Sequence, residues 1–340
     1  MRTIILAVLV ALVALCAFAT AQETVEDWVN KGDELYESGH YEEAFSAYVT
    51  ASEQYFNDVQ LEKSVQALDS ALRIDPENVT LWQTKGSILA FMDNKKEEAN
   101  KAFDRAFQIL NQSIEKKPDD VETLLSVAKT FRGMGKYDDA IESIDRVIEL
   151  DSKNIDARFY KAEFLTLAGR YSEATDVYDE TIEMIPADET STLTSAWSMM
   201  GNSFYDDGRY KDAINAYDKA IEISPEDAGA WGNKGLALIK LGEPEEALKM
   251  FNKAAELDPV HSGGGHYAYV KGTALKAMGR YNESLELFDE AIEVYPNNPL
   301  IWVEKGEVLL ALNRSYEANV AFDKAENLGY NSDTIGYNKI

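Results

Sequence analysis

The sequence repeats itself with a period of 34 residues, and this period constrains the fold more than any other feature. Trp197 and Trp231 are 34 residues apart, and each is followed four residues later by a glycine and three residues after that by an apolar side chain. The segments that begin at Ala268 and Trp302 follow the same rule at the same spacing. Periods of about 20 to 50 residues indicate arrays of one small structural unit. We therefore expect a stack of repeated units.

A second pattern follows the first in register. It places glycine, tyrosine, alanine, an aromatic residue, alanine and proline in a fixed order, as in Gly208, Tyr210, Ala213, Tyr217, Ala220 and Pro225. The first pattern puts an apolar stripe on one face of a first helix, and the second does the same for a second helix, which proline ends. Small residues such as Gly235 and Ala247 let the two helices approach closely. One hairpin cannot bury both of its faces, so it must stack on neighbours.

These patterns resemble the tetratricopeptide repeat in its tryptophan, glycine, tyrosine, alanine, aromatic and proline places. Upstream segments that begin at Trp28, Trp82, Leu124 and Arg158 fit as well, which makes eight hairpins. The resemblance implies an all-α fold, a right-handed superhelical solenoid of helix–turn–helix repeats. It also implies a non-enzymatic protein that binds a polypeptide along its concave groove.

Departures from the repeat suggest how the chain is organised. We expect a signal peptide or membrane anchor at 1–21, a divergent N-terminal repeat plus an extra helix at 22–78, seven repeats at 79–332 and a C-terminal tail at 333–340. The extra helix ends at Pro76 and has no glycine-bearing first helix before it, so we expect it to be displaced or unpaired.

Three further departures change the length of single elements. The helix that begins near Ala99 is expected to run about two turns beyond its usual end, to Lys117. Extra residues occur at 187–193, and a glycine-rich stretch spans 261–266. This stretch is expected to be a tolerated loop, with a hinge as the alternative.

The first residues have the features of a secretory signal. Arg2 precedes an apolar run from Ile4 to Ala19, and Ala21 ends a small-residue cleavage motif. Two alternatives are an uncleaved anchor, because the run approaches the length that spans a bilayer, and lipid attachment at Cys16. We expect an extracytoplasmic protein, secreted or attached to the cell surface, with membrane contact only through residues 1–21 if they are retained.

The charge balance restricts the partners. The formal net charge is −27, and removal of the leader deletes Arg2 and no acid, which gives −28. Such a field repels nucleic acid and anionic lipid surfaces, so neither is an expected partner. The negative charge favours cationic partners, or else it only keeps the protein soluble. The single cysteine lies in the leader, so the remaining chain is held together without disulfides.

The sequence gives little support for catalysis. The three histidines are His40 in a predicted turn and His261 and His266 in the glycine-rich stretch, without neighbouring acids at metal-ligand spacing. No nucleophile elbow, phosphate loop or dinucleotide fingerprint is present. We therefore expect no enzyme activity, no metal and no cofactor.

The resemblance places the ligand against the first helices of the hairpins. The residues expected on this face combine aromatic side chains with carboxylates, which suits a protein or peptide partner with basic and apolar residues. They are Phe91, Leu125, Lys129, Phe159, Tyr160, Glu163, Asn202, Tyr205, Asn233, Tyr269 and Glu307. For each aromatic residue the alternative is packing between adjacent repeats.

Two asparagines on this face recur in consecutive repeats. Asn202 and Asn233 stand where a subtype of the family grips a peptide's terminal carboxylate, but Ser198 and Val270 replace the cations of that clamp and His266 substitutes for one only in part. The asparagines are instead expected to hydrogen-bond a peptide backbone, and their replacement by alanine to weaken capture without lowering the melting temperature.

Four asparagines stand in glycosylation sequons, all at predicted helix ends or turns. They are Asn78, Asn111, Asn282 and Asn313. Together with the leader they suggest a glycoprotein. The alternative to a binding scaffold is a structural protein of the cell envelope that associates with itself.

Overall fold

The structure, a computed structural model, describes residues 25–57, 60–92, 94–258 and 265–330. The predicted leader, the predicted tail and His261 lie outside these ranges. The described residues form seventeen α-helices and no strand. The helices are α1 (Val25–Glu37), α2 (Tyr41–Asn57), α3 (Leu61–Ile74), α4 (Val79–Ala90), α5 (Lys96–Lys116), α6 (Val121–Gly133), α7 (Tyr137–Leu150), α8 (Ile155–Leu167), α9 (Tyr171–Met184), α10 (Thr190–Asp206), α11 (Tyr210–Ile223), α12 (Ala228–Leu241), α13 (Pro244–Leu257), α14 (Gly265–Ala277), α15 (Tyr281–Val294), α16 (Pro299–Ala311) and α17 (Ser315–Asn327).

The predicted all-α class and the eight hairpins are confirmed. The chain divides between Ser152 and Lys153 into two compact units, so that α1 to α7 belong to unit 1 and α8 to α17 to unit 2. Within each unit, consecutive helices pack against each other in chain order. The division predicted after Asn78 falls inside unit 1, at the N-cap of α4.

Six of the eight hairpins turn at a glycine with a positive φ, and Asn94 and Asn313 take this conformation in the other two. Gly208 has a φ of +75°, a left-handed conformation that glycine adopts without a steric cost. The following amide, that of Arg209, donates to the carbonyl of Phe204 at 2.8 Å and closes the end of α10. Tyr210 then begins α11. The glycine therefore fixes the reversal between the two helices.

The two helices of a hairpin meet where an aromatic ring covers a glycine. A Cβ atom on Gly235 would lie 2.5 Å from Cε1 of Phe251, which is closer than atoms can approach. The same contact joins Gly201 and Tyr217, again 16 residues apart. The sequence pairs Gly235 with Ala247, and Ala247 is indeed fully buried, but the group that occupies the space above the glycine is the ring of Phe251.

Adjacent hairpins are joined by a second recurring set of contacts. Trp231 donates its indole N–H to the carbonyl of Pro225 at 2.9 Å, and Lys234 forms an ion pair with Asp218 of the preceding helix at 2.6 Å. Both contacts recur around Trp82 and Trp302. The lead tryptophan and the proline of the repeat thus connect one hairpin to the next.

The expectation of an unpaired extra helix is wrong. Helix α3 packs against both α2 and α4, and the hydroxyl of Ser64 donates to the carbonyl of Ser52 at 2.8 Å. In unit 2, the hydroxyl of Ser284 donates to the carbonyl of Gly272 at 2.7 Å, over the same separation of 12 residues. Ser52 therefore stands in the glycine place of a further hairpin. Helix α2 is the second helix of one hairpin and the first helix of the next.

One predicted change in helix length is found, and a second long helix was not predicted. Helix α5 has 21 residues and ends at Lys116, as its extended pattern predicts. The extra residues at 187–193 lengthen α10, which begins at Thr190 and has 17 residues. Of the glycine-rich stretch only Gly265 and His266 are described, and they begin α14. The predicted loop or hinge otherwise lies outside the described residues.

Candidate functional site

The first helices of the hairpins form the surface on which the sequence places a ligand. We call the set of these helices in each unit its first-helix wall: α2, α4 and α6 in unit 1, and α8, α10, α12, α14 and α16 in unit 2. Helix α4 contacts α6, α8 contacts α10, α10 contacts α12, and α14 contacts α16. The two first helices of each of these four pairs therefore lie side by side.

In unit 1 the wall opens between α2 and α4. A cavity of about 520 Å³ lies between these two helices. Ser52, Glu53 and Phe56 of α2 line one side, while Gln83, Ile88 and Phe91 line the other. We call this cavity the α2–α4 pocket. Phe91 is the only residue of this pocket that the sequence places on the ligand face.

Hydrogen bonds hold the helices on both sides of the pocket against their other neighbours. The Gln83 amide donates to the carbonyl of Ser126 at 2.9 Å and to the hydroxyl of Thr130 at 2.8 Å, which ties α4 to α6. On the other side, the hydroxyls of Ser52 and Ser64 are 2.9 Å apart and hold α2 against α3. The pocket is therefore built on packed helices and not on loops.

The exposed surface of the pocket is mostly apolar, although its ten lining residues include six neutral polar side chains and one carboxylate. Phe91 is 76% exposed and Phe56 is 44% exposed, which is unusual for large aromatic side chains. Glu53 is exposed at the rim, and none of the hydrogen bonds and ion pairs among the described residues engages its carboxylate. Farther along the wall, on α6, Leu125 is half-buried and Lys129 is exposed.

In unit 2 the predicted asparagines are brought together by the fold. Asn233 of α12 donates its amide to the Oδ1 atom of Asn202 at 3.2 Å, and the hydroxyl of Tyr217 donates to the same oxygen at 2.8 Å. Tyr217 is 1% exposed. Asn202 therefore satisfies a buried hydroxyl, which gives it a structural role in addition to any contact with a ligand. Of the two clamp places, Val270 is buried and Ser198 is half-buried.

The predicted aromatic residues of unit 2 are half-buried and pack against other rings. Phe159 lies 6.5 Å from Tyr178 between ring centroids, and Tyr160 lies 6.0 Å from the fully buried Phe164. Burial raises the pKa of Tyr178, and the nearby carboxylate of Glu163 raises it further. Glu163 is itself half-buried on α8.

Two further tyrosines follow the same rule. Tyr205 packs edge-on against Tyr210 at 5.4 Å, and Tyr269 lies 6.2 Å from the buried Phe288. Burial is the main cause of the raised pKa values of Tyr205 and Tyr269. These rings contribute to packing between helices, and each keeps part of its surface on the wall.

Glu307 takes part in a bridge between two first helices. Lys276 of α14 forms ion pairs with Glu304 at 2.5 Å and with Glu307 at 2.6 Å, both on α16. Burial alone would lower the pKa of Lys276, but the hydrogen bonds from its ammonium group to the two carboxylates outweigh burial and raise it. The predicted carboxylate is thus engaged within the wall.

One relationship among these residues was missed at the level of sequence. The hydroxyl of Tyr48 donates to Asp33 at 2.6 Å, as that of Tyr217 donates to Asn202, and in both cases the acceptor directly follows the glycine that the ring covers. Burial and then the hydrogen bond to Asp33 raise the pKa of Tyr48. The sequence contains a pattern that could have predicted this bond, because a tyrosine in the aromatic place of the repeat coincides with a hydrogen-bond acceptor 15 residues earlier.

The four sequons differ in their surroundings. Asn78 caps α4: its Oδ1 accepts from the amide of Leu81 at 3.1 Å, and its Nδ2 donates to Asp75 at 3.0 Å. Asn282 and Asn313 are exposed, at the start of α15 and in a turn. Asn111 is also exposed but lies inside α5, five residues before its end, which corrects its predicted position at a helix end.

Neither a metal site nor a membrane span is found in the part of the chain that the structure describes. No group of three or more histidine, cysteine and acidic side chains there could hold a metal ion. No described helix is long and apolar enough to cross a bilayer. His266 is exposed beside Tyr267, and His40 lies in a turn with its Nδ1 atom 3.0 Å from the Ser38 hydroxyl.

Comparison with known proteins shows the family. The model of the tetratricopeptide repeat family matches residues 128–189, 198–262 and 269–329, which is more than half of the chain. The chain belongs to the tetratricopeptide repeat family. Proteins of this family typically mediate protein–protein interactions and are generally not enzymes. None of the curated proteins compared with the chain matches it.

Several solved structures are similar to the chain. A crystal structure of MamA is 29% identical and covers 50% of this chain and 96% of its own, with a TM-score of 0.40. YrrB, described as a tetratricopeptide repeat protein with an unusual peptide-binding site, is 22% identical and covers 56% of this chain and 95% of its own, with a TM-score of 0.41. Yeast Tom70 is 13% identical and covers 91% of this chain and 93% of its own, with a TM-score of 0.47.

Proposed function

We propose that this protein is a non-enzymatic scaffold that holds another polypeptide against its first-helix wall, outside the cytoplasm. The observation that carries the proposal is the wall itself: first helices that lie side by side in each unit and present partly exposed aromatic side chains between charged ones. Aromatic side chains in partly enclosed surfaces are typical anchors for protein partners. Membership of the tetratricopeptide repeat family supports the same kind of partner.

The location outside the cytoplasm rests on the leader sequence. A positive start, an apolar run and a small-residue motif ending at Ala21 support export, and the exposed sequons at Asn111, Asn282 and Asn313 support glycosylation. Mass spectrometry of the protein from its native source tests both points. We expect an N-terminus at Gln22 and added glycan mass on at least one peptide that contains an exposed sequon. An N-terminus at Met1 together with unmodified peptides would contradict the proposed location.

The binding role is tested by capture from envelope extracts. A wall variant combines Phe91→Ser, Leu125→Ser and Tyr160→Ser. The matched control combines Leu150→Ser, Tyr316→Ser and Val320→Ser, which removes three apolar side chains that are exposed on second helices outside the wall. We expect the control to retain the captured partner and the wall variant to lose it, with circular dichroism spectra unchanged in both.

Two outcomes would contradict the binding role. Equal capture by both variants would place the partner elsewhere on the surface. A chain that captures nothing but gains mass with concentration in light scattering would instead indicate self-association, the alternative class of function.

A further inference from the structure

We propose that the α2–α4 pocket is an anchor site for one large apolar side chain of a partner polypeptide, flanked in that partner by lysine or arginine. This inference rests on the proposed function and specifies the partner that one part of the wall would take. It follows from three observations: why the wall opens here, what lines the opening, and which charge stands at its rim.

The opening is a consequence of the double use of α2. Side chains bridge most other neighbouring first helices directly, as Gln83 does between α4 and α6 and Asn233 between α10 and α12. Among the described residues α12 and α14 also lack such a bridge, but the cavity between them is much smaller, about 70 Å³. Within the described residues, no hydrogen bond or ion pair joins α2 to α4. Because α2 also serves as the second helix of the preceding hairpin, its position is set by α1 as well as by α3. The space between α2 and α4 is left unfilled.

The lining selects an apolar group. The exposed surface of the pocket is mostly apolar, and its apolar side chains are Phe56, Phe91 and the buried Ile88. The neutral polar residues that complete the lining are Ser52, Asn57, Thr80, Gln83, Thr84 and Ser87. The volume of about 520 Å³ exceeds that of any single side chain and admits an aromatic ring together with part of its backbone. Rings that are 44% and 76% exposed in the free protein would become buried on binding, and burial of apolar surface favours association.

The rim and the charge of the whole chain select the flanking residues. Glu53 is the only charged residue among those that line the pocket, and no hydrogen bond or ion pair within the described residues engages it. The net charge of −27 repels acidic segments and attracts basic ones. A carboxylate at the edge of an apolar pocket forms its strongest hydrogen bonds with a lysine or arginine of the bound segment. The occupant is therefore a basic segment with an apolar anchor.

The test uses three synthetic pentapeptides, each blocked at both ends. The first has a central phenylalanine with two lysines on each side, the second replaces the phenylalanine by serine, and the third replaces the lysines by glutamates. Binding to the purified chain is followed through the methyl resonance of Ile88, assigned by comparison with an Ile88→Val variant. We expect the first peptide to shift this resonance and the other two to bind at least about 10-fold more weakly.

Variants of the protein locate the binding. Phe91→Ser is expected to raise the dissociation constant of the first peptide by about 10-fold or more, and Glu53→Gln by about 3-fold to 10-fold. The matched control is Tyr316→Ser, because Tyr316 is an equally exposed aromatic residue, 82% exposed, on α17 of unit 2. This control should leave the dissociation constant unchanged.

Three results would overturn the pocket assignment: equal binding of the serine peptide, equal binding of the glutamate peptide, or unchanged binding by Phe91→Ser. The proposed function fails separately. If a natural partner depends on Tyr160 for capture but still binds the Phe91→Ser variant, the pocket assignment is wrong and the scaffold role stands. If the chain binds the lysine peptide in the pocket but captures no protein from extracts, the pocket assignment stands and the scaffold role is wrong.

Discussion

The first-helix wall is built differently in the two units of the molecule. In unit 2, polar side chains join neighbouring first helices, as Thr166 joins Ser203 at 3.1 Å and Lys276 joins Glu307 at 2.6 Å. In unit 1, α2 and α4 are separated by a pocket with exposed aromatic residues. Polar bridges of this kind also join α4 to α6 in unit 1, so the contrast lies between these bridged pairs and the open pair α2 and α4. A residue's place in the repeat does not decide its role, because the spacing of neighbouring helices does.

The largest effect is expected where a ring covers a glycine. Gly235→Leu places a side chain where Cβ alone would lie 2.5 Å from Phe251, and overpacking of this kind costs about 1–3 kcal/mol of unfolding free energy. In the α2–α3 hairpin of unit 1 the same place holds Ser52, whose hydroxyl lies 2.9 Å from that of Ser64, so Ser52→Ala should cost only the net value of a hydrogen bond, about 0.5–1.5 kcal/mol. Urea unfolding followed by circular dichroism measures both.

A glycine in the same helix provides the control for this prediction. A Cβ atom on Gly232 would meet nothing closer than 3.9 Å, so Gly232→Ala should leave stability unchanged or raise it by up to about 1 kcal/mol through helix propensity. If Gly235→Leu and Gly232→Ala behaved alike, the close contact between α12 and α13 would not exist.

An intermediate loss of stability is expected for a wall residue that supports packing, and almost none for a wall residue at the α2–α4 pocket. Asn202→Ala leaves the buried hydroxyl of Tyr217 without its acceptor and should cost about 1–2 kcal/mol. Phe91→Ser, at a side chain that is 76% exposed, should change stability by less than about 0.5 kcal/mol. Thermal unfolding of the two variants compares them directly.

A double-mutant cycle identifies the cause of this difference. In a Tyr217→Phe background no hydroxyl needs an acceptor, so Asn202→Ala should lose most of its effect. An undiminished cost in that background would assign the role of Asn202 to its contact with Asn233 instead. A melting temperature unaffected by Asn202→Ala would agree with the purely ligand-binding role that the sequence predicts.

The smallest effect concerns a helix cap in unit 1 and depends on pH. Hydrogen bonds from the hydroxyl and amide of Thr123 lower the pKa of Asp120, the N-cap of α6. A carboxylate with a lowered pKa in the folded state stabilises the fold above its unfolded pKa, and this contribution is lost as the pH falls through the folded value. Asp120→Asn keeps the cap, as Asn154 does for α8 in unit 2, and removes the proton uptake.

Acid titration of the melting temperature checks this prediction. The variant and the parent chain should have the same stability near neutral pH. Below about pH 4, the ordinary range of an aspartate, the parent chain should lose stability faster than the variant. Parallel curves over the whole acid range would show that the bonds from Thr123 do not depend on the charge of Asp120.

Most of the fold could be predicted because the same residue pattern recurs many times along the sequence. The 34-residue period predicted the hairpins, and the extended pattern at 99–117 predicted the long helix α5. The extra residues at 187–193 were visible, but their place in a longer α10 was not predicted. The double use of α2 could not be predicted, because Ser52 and Leu68 replace the glycine and the aromatic residue by which the repeat is recognised. Without these two characteristic residues, the sequence pattern indicates a single helix and not a hairpin.

The candidate site was less predictable for a physical reason. Helical spacing places Phe91 and Asn202 on the same face, and it contains no information on the distance to the neighbouring first helix. That distance leaves Phe91 exposed and brings Asn202 within reach of Asn233 and Tyr217. The acceptors 15 residues before Tyr48 and Tyr217 are readable from sequence once the hairpin contact is known.

The helix shared by two hairpins also affects how the amino-terminal part of the chain comes apart. Stacked repeats ordinarily fray from an end one hairpin at a time, since each contacts only its neighbours. Loss of α1 would uncover Tyr48 and Ala44 on the helix that also completes the next hairpin with α3. The first three helices should consequently open and close as one cooperative block, and any force or protease that acts on this end meets three helices at once.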